Sequence, residues 1–217
     1  MKTKSAFTMI ELVFVIVVLG ILASLAMDRM DRDLKQEASE QILSDIRLTQ
    51  QLALRDNKHL SDNNSTWQRA YWQIDFNCTS DCNYSVGSDI DLSASIKKEE
   101  SAIDPTNGKY IYNDLTTDST MSEKVLLKEK FGINDINGST ACPPKNGIIS
   151  IAFDYLGRPY TNIGSSISAD FSTILMTDCN LTFTMSTDED NDGTDDQFII
   201  TIEAETGHSF IVGQDES

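Results

Sequence analysis

The hydrophobic pattern divides the chain into an apolar run, an amphipathic helix and a region of short segments. From Phe7 to Met27 there are 21 residues, and only Thr8, Glu11 and Ser24 among them are polar. A helix needs about 20 mostly apolar residues to cross a bilayer. The run therefore predicts a transmembrane helix with a single carboxylate near its beginning.

The helical pattern continues past Met27, although the residues become more polar. No Pro or Gly interrupts residues 21–63, which favours one helix from Thr8 to about Lys58; two helices hinged near Asp28–Met30 are the alternative. One apolar stripe recurs at three- and four-residue spacing and then widens, which predicts a projecting first half and a second half embedded in a domain. The stripe comprises Met30, Leu34, Ala38, Ile42, Ile46, Thr49 and Ala53, later joined by Leu43, Leu48, Leu52 and Leu54.

Residues 59–217 predict a β-rich domain, so the fold class is α+β: a long N-terminal helix whose second half packs on an antiparallel C-terminal domain. Apolar alternation and β-favouring residues predict strands, and polar, turn-rich stretches predict loops. The predicted strands are Trp67–Asn77, Gly147–Phe153, Leu181–Thr187, Gln197–Ala204 and Ser209–Val212, with weaker patterns at Lys109–Tyr112, Lys124–Phe131 and Phe171–Thr177. The predicted loops are Thr79–Asn107 and Asn134–Asn146, with a turn at Asp154–Pro159.

The composition makes the chain strongly acidic, with a formal net charge of −17 over 217 residues. Nucleic-acid binding needs a cationic surface, so this charge argues against nucleic acid as a direct partner. The negative charge is compatible with a protein that is exposed to divalent cations, although a surface that is acidic only for solubility would have the same composition.

Four cysteines, Cys78, Cys82, Cys142 and Cys179, would form disulfides in an oxidising compartment. Cys78 and Cys82 flank a short turn, so the spacing favours a local bridge between them and leaves Cys142 to pair with Cys179. A zinc site is the alternative, but a C-x₃-C spacing is unusual for zinc, and both histidines lie far from any cysteine in sequence.

An acidic segment near the end of the chain, residues 188–196, places carboxylates on alternate residues before Gly193. This pattern begins like a calcium loop, but Ile199 stands where an EF-hand would have its bidentate Glu. A hairpin calcium loop is therefore expected, and a solvated hairpin turn is the alternative. The candidate Ca²⁺ ligands are Asp188, Asp190, Asp192, Asp196 and the Thr194 carbonyl, and Ca²⁺ is the one cofactor that the sequence suggests.

The chain lacks the sequence patterns of common enzymes. It contains no G-x-S-x-G, phosphate loop or H-E-x-x-H motif, and His59 and His208 are isolated. Glu99–Glu100 follow Lys97–Lys98 in a polar run that predicts solvated surface. The sequence therefore predicts a structural protein and not an enzyme.

Glu11 needs an explanation, because a charge in a membrane helix costs roughly 2.5–3.5 kcal/mol at the centre and less near an end. A cut between Ala6 and Phe7 would create an amine four residues before Glu11, one helical turn away. Glu11 could then pair with its own Phe7 amine or with that of a neighbouring copy, which would set the register of an assembly. A glutamate that reaches the membrane interface without a partner is the alternative.

The stretch KSAFTMIELVFVIVVLGILASLA resembles the class III signal of type IV pilins and type II secretion pseudopilins. The resemblance implies that a prepilin peptidase and methyltransferase removes residues 1–6 after Ala6 and methylates the Phe7 amine. It also implies that Glu11 guides filament assembly. Two departures are Ala6, where most relatives carry Gly, and Asp28–Arg29, where many have Pro. The apolar core is too long for an ordinary secretory signal.

The rest of the chain resembles the H-type minor pseudopilins in the helix end LALRDNKHL, a W-x₄-W strand, ISIAFDYLGRPY and ITIEAETGHSFIV. The resemblance implies a pilin fold in which residues 7–27 cross the bacterial inner membrane once, residues 28–58 form the soluble half of the helix, and residues 59–217 lie in the periplasm. It implies a minor subunit of a type II secretion-type pseudopilus, assembled with other pilin-like subunits. A minor pilin of a type IV pilus or DNA-uptake system is the alternative, although the acidic tail, residues 213–217, argues against DNA contact.

Overall fold

The protein is described by a computed structural model that covers residues 9–59, 66–113, 118–165, 167–186 and 195–214, without the side chains of residues 24–33 and 165. Helix α1 spans Met9–Arg55, 47 residues, and is therefore about 70 Å long. The helix is continuous through Asp28–Met30, so the prediction of one helix is confirmed and the hinged pair is wrong. A second, short helix, α2, spans Leu127–Phe131.

Among the described residues, eight strands form two four-stranded antiparallel sheets, with orders β2-β1-β4-β5 and β3-β6-β7-β8. An N-terminal helix followed by antiparallel sheets confirms the α+β class. The strands are β1 (Trp72–Asn77), β2 (Asn83–Ser88), β3 (Ile133–Gly138), β4 (Ile148–Phe153), β5 (Pro159–Thr161), β6 (Cys179–Met185), β7 (Gln197–Ile202) and β8 (Ser209–Ile211). Short 3₁₀ helices at Trp67–Ala70, Lys98–Glu100, Glu123–Val125, Ile163–Ser165 and Phe171–Thr173 lie in the connections.

The second half of α1 packs against both sheets and supplies the centre of the core. The predicted stripe is its buried face, since five of its residues are at most 1% exposed: Ala38, Ile42, Ile46, Thr49 and Ala53. The sheets join the same core, where the Phe76 and Phe183 rings lie 5.6 Å apart. Leu54 was predicted to widen the stripe but is 53% exposed, because successive helical residues are turned by about 100° around the axis.

Strands β2 and β3 lie where the polar sequence predicted loops, so those two predictions were wrong. In β2, Tyr84 and Val86 alternate with polar residues and are fully buried. In β3, Ile133 and Ile136 are buried although a bulge shifts the register between them. In each strand the burial of two apolar side chains in the core outweighs the polar composition of the sequence.

The weak pattern at Lys124–Phe131 predicted a strand, but the chain forms a 3₁₀ turn and then α2 there. Leu127 and Phe131, four residues apart, are both buried on one side of the short helix. Gly132 ends it in the left-handed region with a φ of 72°. The predicted strand was wrong because the helical spacing and the glycine cap prevailed.

The pattern at Phe171–Thr177 also failed to form a strand. Asp170 begins a 3₁₀ helix by accepting the Ser172 N–H at 2.9 Å, and Phe171 remains 53% exposed. An aspartate favours such a turn, because its carboxylate satisfies a backbone N–H that a strand would pair with a neighbour. The pattern at Lys109–Tyr112 contributes only isolated bridges.

Candidate functional site: the N-terminal helix and its attachment

The first described part of α1 is apolar except for Glu11 and is exposed along its length. Every residue from Met9 to Ala23 is exposed, and the large apolar side chains range from 37% for Val18 to 87% for Met9. Burial of apolar surface stabilises a protein by about 25 cal/mol per Å², and a contiguous exposed patch marks an interaction surface. This segment, called the apolar segment below, is the candidate functional site.

Glu11 lies in the first turn of α1 and is the one acidic residue there. The start of a helix carries a partial positive charge that favours a carboxylate by about 0.3–1 kcal/mol at an exposed position. Ala6 and Phe7 lie outside the described residues, so cleavage, methylation and the pairing of Phe7 with Glu11 stay predictions. No helix within the described residues combines the length and the apolarity that a membrane crossing requires.

Gln50 attaches the other half of α1 to two turns of the domain. Its side-chain Nε2 donates to the Gly157 carbonyl at 3.0 Å and to the Thr206 carbonyl at 2.9 Å. Each turn contains a glycine in the left-handed region, with φ values of 81° at Gly157 and 67° at Gly207. A side chain would be strained at either position. The DYLGRP and ETGHS stretches, which carry the H-type resemblance, therefore hold the helix.

Two charged groups strengthen this attachment. The Arg47 guanidinium donates to the Ser209 carbonyl at 2.8 and 3.3 Å, which covers the outer edge of β8. Asp154, fully buried, accepts backbone N–H groups from Leu156 and Arg158 at 2.9 and 3.0 Å and pairs with the Arg158 guanidinium at 2.7 Å. The Arg47 bonds tie the embedded half of α1 to β8, and the Asp154 bonds hold the shape of the turn that Gln50 contacts.

A buried polar network ties α1 to β2. Asp45, 4% exposed, accepts hydrogen bonds from the Tyr84 hydroxyl at 2.5 Å and from Gln41 Nε2 at 2.9 Å. Desolvation raises the pKa of Asp45, and these two hydrogen bonds act in the opposite direction. Burial also raises the pKa of Tyr84 well above its ordinary value, so its hydroxyl stays a donor.

The structure pairs Cys78 with Cys82 and Cys142 with Cys179, the pairing that the cysteine spacing favoured. The first bridge joins the end of β1 to the chain that enters β2. The second joins the turn after β3 to the first residue of β6, with Cα atoms 5.6 Å apart. No free cysteine remains for a metal, so the zinc alternative is wrong.

The acidic segment connects the antiparallel neighbours β6 and β7, which makes it a hairpin connection as predicted. The candidate ligands Asp188, Asp190, Asp192 and Thr194 lie outside the described residues. Asp196 is described: its carboxylate lies 3.6 Å from Lys35 Nζ, and its carbonyl accepts the Met185 N–H at 2.7 Å. The structure therefore describes one end of the candidate calcium loop, and calcium binding stays a prediction.

A second acidic group, which the sequence did not predict, brings together carboxylate oxygens of Asp89, Asp91 and Glu100 within 4.8 Å of one another. Asp89 accepts two backbone N–H groups of the following loop, both at 2.8 Å. Glu100 accepts the Asp91 N–H at 2.9 Å and the Lys97 N–H at 3.1 Å. Asp91 pairs with the Lys97 ammonium. These carboxylates fold the loop after β2, so Glu100 is a capping residue and not mere solvated surface.

Comparison with known proteins gave one match. The model of the prokaryotic N-terminal methylation motif matches residues 1–27, which include Ala6, Phe7, Glu11 and the apolar run. No curated protein and no solved structure matches the chain. The motif marks structural subunits that a prepilin peptidase processes and that assemble with other pilin subunits. This motif, followed by one long N-terminal helix and two antiparallel sheets, supports a type IV pilin-like protein.

Proposed function

We propose that this chain is an H-type minor pseudopilin, a structural subunit of a type II secretion-type pseudopilus. Residues 7–27 hold it in the bacterial inner membrane, with the C-terminal domain in the periplasm. It serves at the tip of the filament or in priming filament assembly. The assembled filament drives protein secretion. The observation that carries the proposal is the exposed apolar segment with Glu11 in its first turn, within the matched residues 1–27.

The apolar segment needs an apolar environment both before and after assembly. A bilayer supplies it to the single subunit, and neighbouring helices supply it in a filament. A carboxylate in such an environment is stabilised by a nearby cation, because charge interactions strengthen at low dielectric. The methylated Phe7 amine of an adjacent subunit supplies that cation, so Glu11 selects the register in which it is neutralised.

The residues that hold α1 support a filament role in a second way. Three side chains of α1 transmit a force on the apolar segment to the domain. Arg47 binds β8, Gln50 binds two turns, and Asp45 binds Tyr84 of β2. A helix tied to both sheets moves with its domain as one unit. Such rigidity is needed for a subunit that is added to a filament by its helix alone.

The alternative is a minor pilin of a type IV pilus or of a DNA-uptake system, which the same motif supports. The net charge of −17 argues against direct DNA binding in either machine. Deletion of the chain, followed by parallel measurement of secreted proteins, surface pili and DNA uptake, separates the three machines. Loss of secretion alone is the expected result, and loss of piliation or uptake alone would refute the secretion assignment.

The assembly role of Glu11 is tested with Glu11→Val. The variant should remain in the membrane fraction but disappear from sheared filaments, because the anchor is kept and the register is lost. Glu37→Gln is the matched control: it changes an exposed glutamate on the attached half of α1 and should assemble normally. A protein that is only a membrane-anchored binding module would tolerate Glu11→Val, so normal assembly of that variant refutes the proposal.

We also propose that the connection between β6 and β7 binds Ca²⁺ through Asp188, Asp190, Asp192, Asp196 and the Thr194 carbonyl. The alternating carboxylates before Gly193 and the hairpin position of the segment support this. Lys35 lies 3.6 Å from the carboxylate of Asp196, so this ligand already has a cationic neighbour that a bound Ca²⁺ would compete with.

A further inference from the structure

One five-residue pattern recurs along the domain: Asp, any residue, Asn, any residue except Pro, and Ser or Thr. It occurs at residues 62–66, 75–79, 81–85, 135–139 and 178–182. The chain has 13 asparagines, and chance placement of its acidic and hydroxyl residues around them would produce fewer than one such pattern. Asn-x-Ser/Thr is the acceptor of N-linked glycosylation, and in these five patterns an aspartate also lies two positions before the asparagine.

The fold makes the acceptors on the first sheet poor substrates. Asn83 is 6% exposed, and its Nδ2 donates to the Asp81 carbonyl at 2.8 Å. Asn77 ends β1, a central strand, and its Oδ1 accepts both the N–H and the hydroxyl of Thr79 at 3.0 and 2.9 Å. Transfer requires the asparagine amide and its backbone to bend into an enzyme. Both amides are instead engaged within the β1–β2 hairpin.

Two acceptors, Asn137 and Asn180, lie on neighbouring strands of the second sheet. Asn137 of β3 pairs with Thr182 of β6, which is the hydroxyl residue of the Asn180 pattern. Asn180 is exposed but belongs to β6, which is bonded to strands on both sides. Its Oδ1 also accepts the Thr201 hydroxyl at 2.9 Å. The acceptor at residue 64 lies outside the described residues.

Asn137 differs from these in position and exposure. It is exposed and lies on β3, the edge strand of its sheet, one residue before the strand ends. A turn follows, closed by the Cys142 N–H and the Ser139 carbonyl at 3.0 Å. Asn137 Nδ2 donates to the Asp135 carboxylate at 2.6 Å, so the acidic residue and the acceptor amide of this pattern lie together on the surface.

We propose that Asn137 is an N-glycosylation site of the folded domain. The donor is an oligosaccharide linked to a polyprenyl diphosphate in the membrane. Nδ2 of Asn137 forms a C–N bond to the anomeric carbon, and the bond from that carbon to the diphosphate oxygen breaks. The lipid diphosphate leaves with the bonding electrons, and the amide loses one proton to a base of the transferase. The site rests on the proposed function only for the periplasmic location of the domain.

A glycan at this position has a structural consequence. β3 is an edge strand, and such strands can pair with edges of other proteins unless something covers them. Asp135 already occupies part of the edge, since its carboxylate accepts the Ile136 N–H at 2.9 Å. A glycan on Asn137 adds a bulky, hydrated group beside it and keeps the edge free of unwanted strand pairing.

The direct test maps the full chain purified from its own cell envelope by mass spectrometry of reduced peptides. The peptide of residues 131–145 should carry a glycan mass that fragmentation assigns to Asn137. Asn137→Gln and Ser139→Ala should abolish it, whereas Asn134→Gln, on the same strand but outside any such pattern, should leave it unchanged. A wholly unmodified Asn137 in a sample with intact disulfides overturns the site without touching the proposed function, because the disulfides report an oxidising compartment.

The role of the fold is tested with the disulfide-bonded full chain in detergent, a bacterial oligosaccharyltransferase and its lipid-linked donor. Asn137 should be modified at least tenfold faster than Asn83, although both lie in the same five-residue pattern. Reduction and unfolding of the chain should bring the two rates within about threefold of each other. Equal modification of both residues in the folded chain would overturn the claim that the structure selects Asn137.

Discussion

The two disulfides close loops of very different length, so their removal should cost different amounts of stability. Cys142 and Cys179 are separated by 37 positions, and Cys78 and Cys82 by 4. In the chain-entropy model these loops contribute about 4 kcal/mol and about 2 kcal/mol to the free energy of unfolding. Cys142 and Cys179 are also fully buried, so any loss of packing adds to the difference and does not cancel it.

The comparison needs two double variants, Cys142→Ala with Cys179→Ala and Cys78→Ala with Cys82→Ala, each in the full chain in detergent. Urea unfolding and thermal unfolding, each followed by tryptophan fluorescence, measure both variants, since Trp67 and Trp72 lie in the folded domain. A domain of 150–250 residues loses about 2–4 °C of melting temperature per kcal/mol. The long-loop variant should therefore melt about 8–16 °C lower than the parent, and the short-loop variant about 4–8 °C lower.

Two results would refute this reasoning. If the short-loop variant lost as much stability as the long-loop variant, loop length would not be the source of stabilisation. If the long-loop variant lost less than about 1 kcal/mol, the reduced chain would already hold β3 and β6 together without the bridge.

Three further predictions concern side chains of the domain. Gln50→Ala should lower the free energy of unfolding in urea by about 1–3 kcal/mol, because it loses two hydrogen bonds. The control Gln36→Ala loses only a contact with Glu40 on the same helix and should cost under about 0.5 kcal/mol. Equal losses in the two variants would contradict the attachment role of Gln50. Burial raises the pKa of Asp75 to about 6 from an ordinary 3.8, so the folded state binds the proton more tightly and stability falls as the pH rises from about 4 to about 6. Asp75→Asn should therefore be more stable than the parent at pH 7, by up to about 3 kcal/mol, with no advantage at pH 4, and a difference independent of pH would contradict this. Ca²⁺ at ten times its dissociation constant should stabilise the EGTA-treated chain by about 1.4 kcal/mol, and an unchanged melting midpoint from EGTA to millimolar Ca²⁺ would rule the site out.

The helical half of the fold was predictable because helical hydrogen bonds and helical periodicity are local. The spacing of Ala38, Ile42 and Ile46 identified the buried face before any partner was known. The predicted end, about Lys58, differs from the observed Arg55 by a few residues, which is ordinary for helix ends, and the predicted start, Thr8, lies outside the described residues. The apolar segment and Glu11 were likewise identified from the local sequence pattern.

The strands were predicted less well because a strand is defined by partners that lie far away in sequence. β4 has a continuous apolar run and was found, whereas β2 has only Tyr84 and Val86 to bury and was not. The tertiary structure makes β2 a strand by pairing it with β1 and by packing Tyr84 against Asp45 of the helix. A single sequence holds no local pattern strong enough to predict that pairing.

The contacts that attach the helix to the domain could not be predicted from the sequence either. Gln50 bonds carbonyls that lie 107 and 156 positions later in the chain, and a glutamine on a helix carries no pattern that points to them. Glu100 accepts the Lys97 N–H as the third residue of a capping box does, but the Lys97 side chain cannot accept a bond in return, so no capping-box sequence marks this turn.

The sequence by itself determined the long helix, the apolar segment with its one carboxylate, the favoured cysteine pairing and the methylation motif, because each depends on spacing within a short stretch or on a count. Only the tertiary structure decided which turns hold the helix and which repeated pattern is accessible. Asn83 and Asn137 have the same local sequence pattern, yet one is buried in a hairpin and the other lies exposed on an edge strand. Burial is set by what the rest of the chain packs against a residue, and no local pattern contains that information.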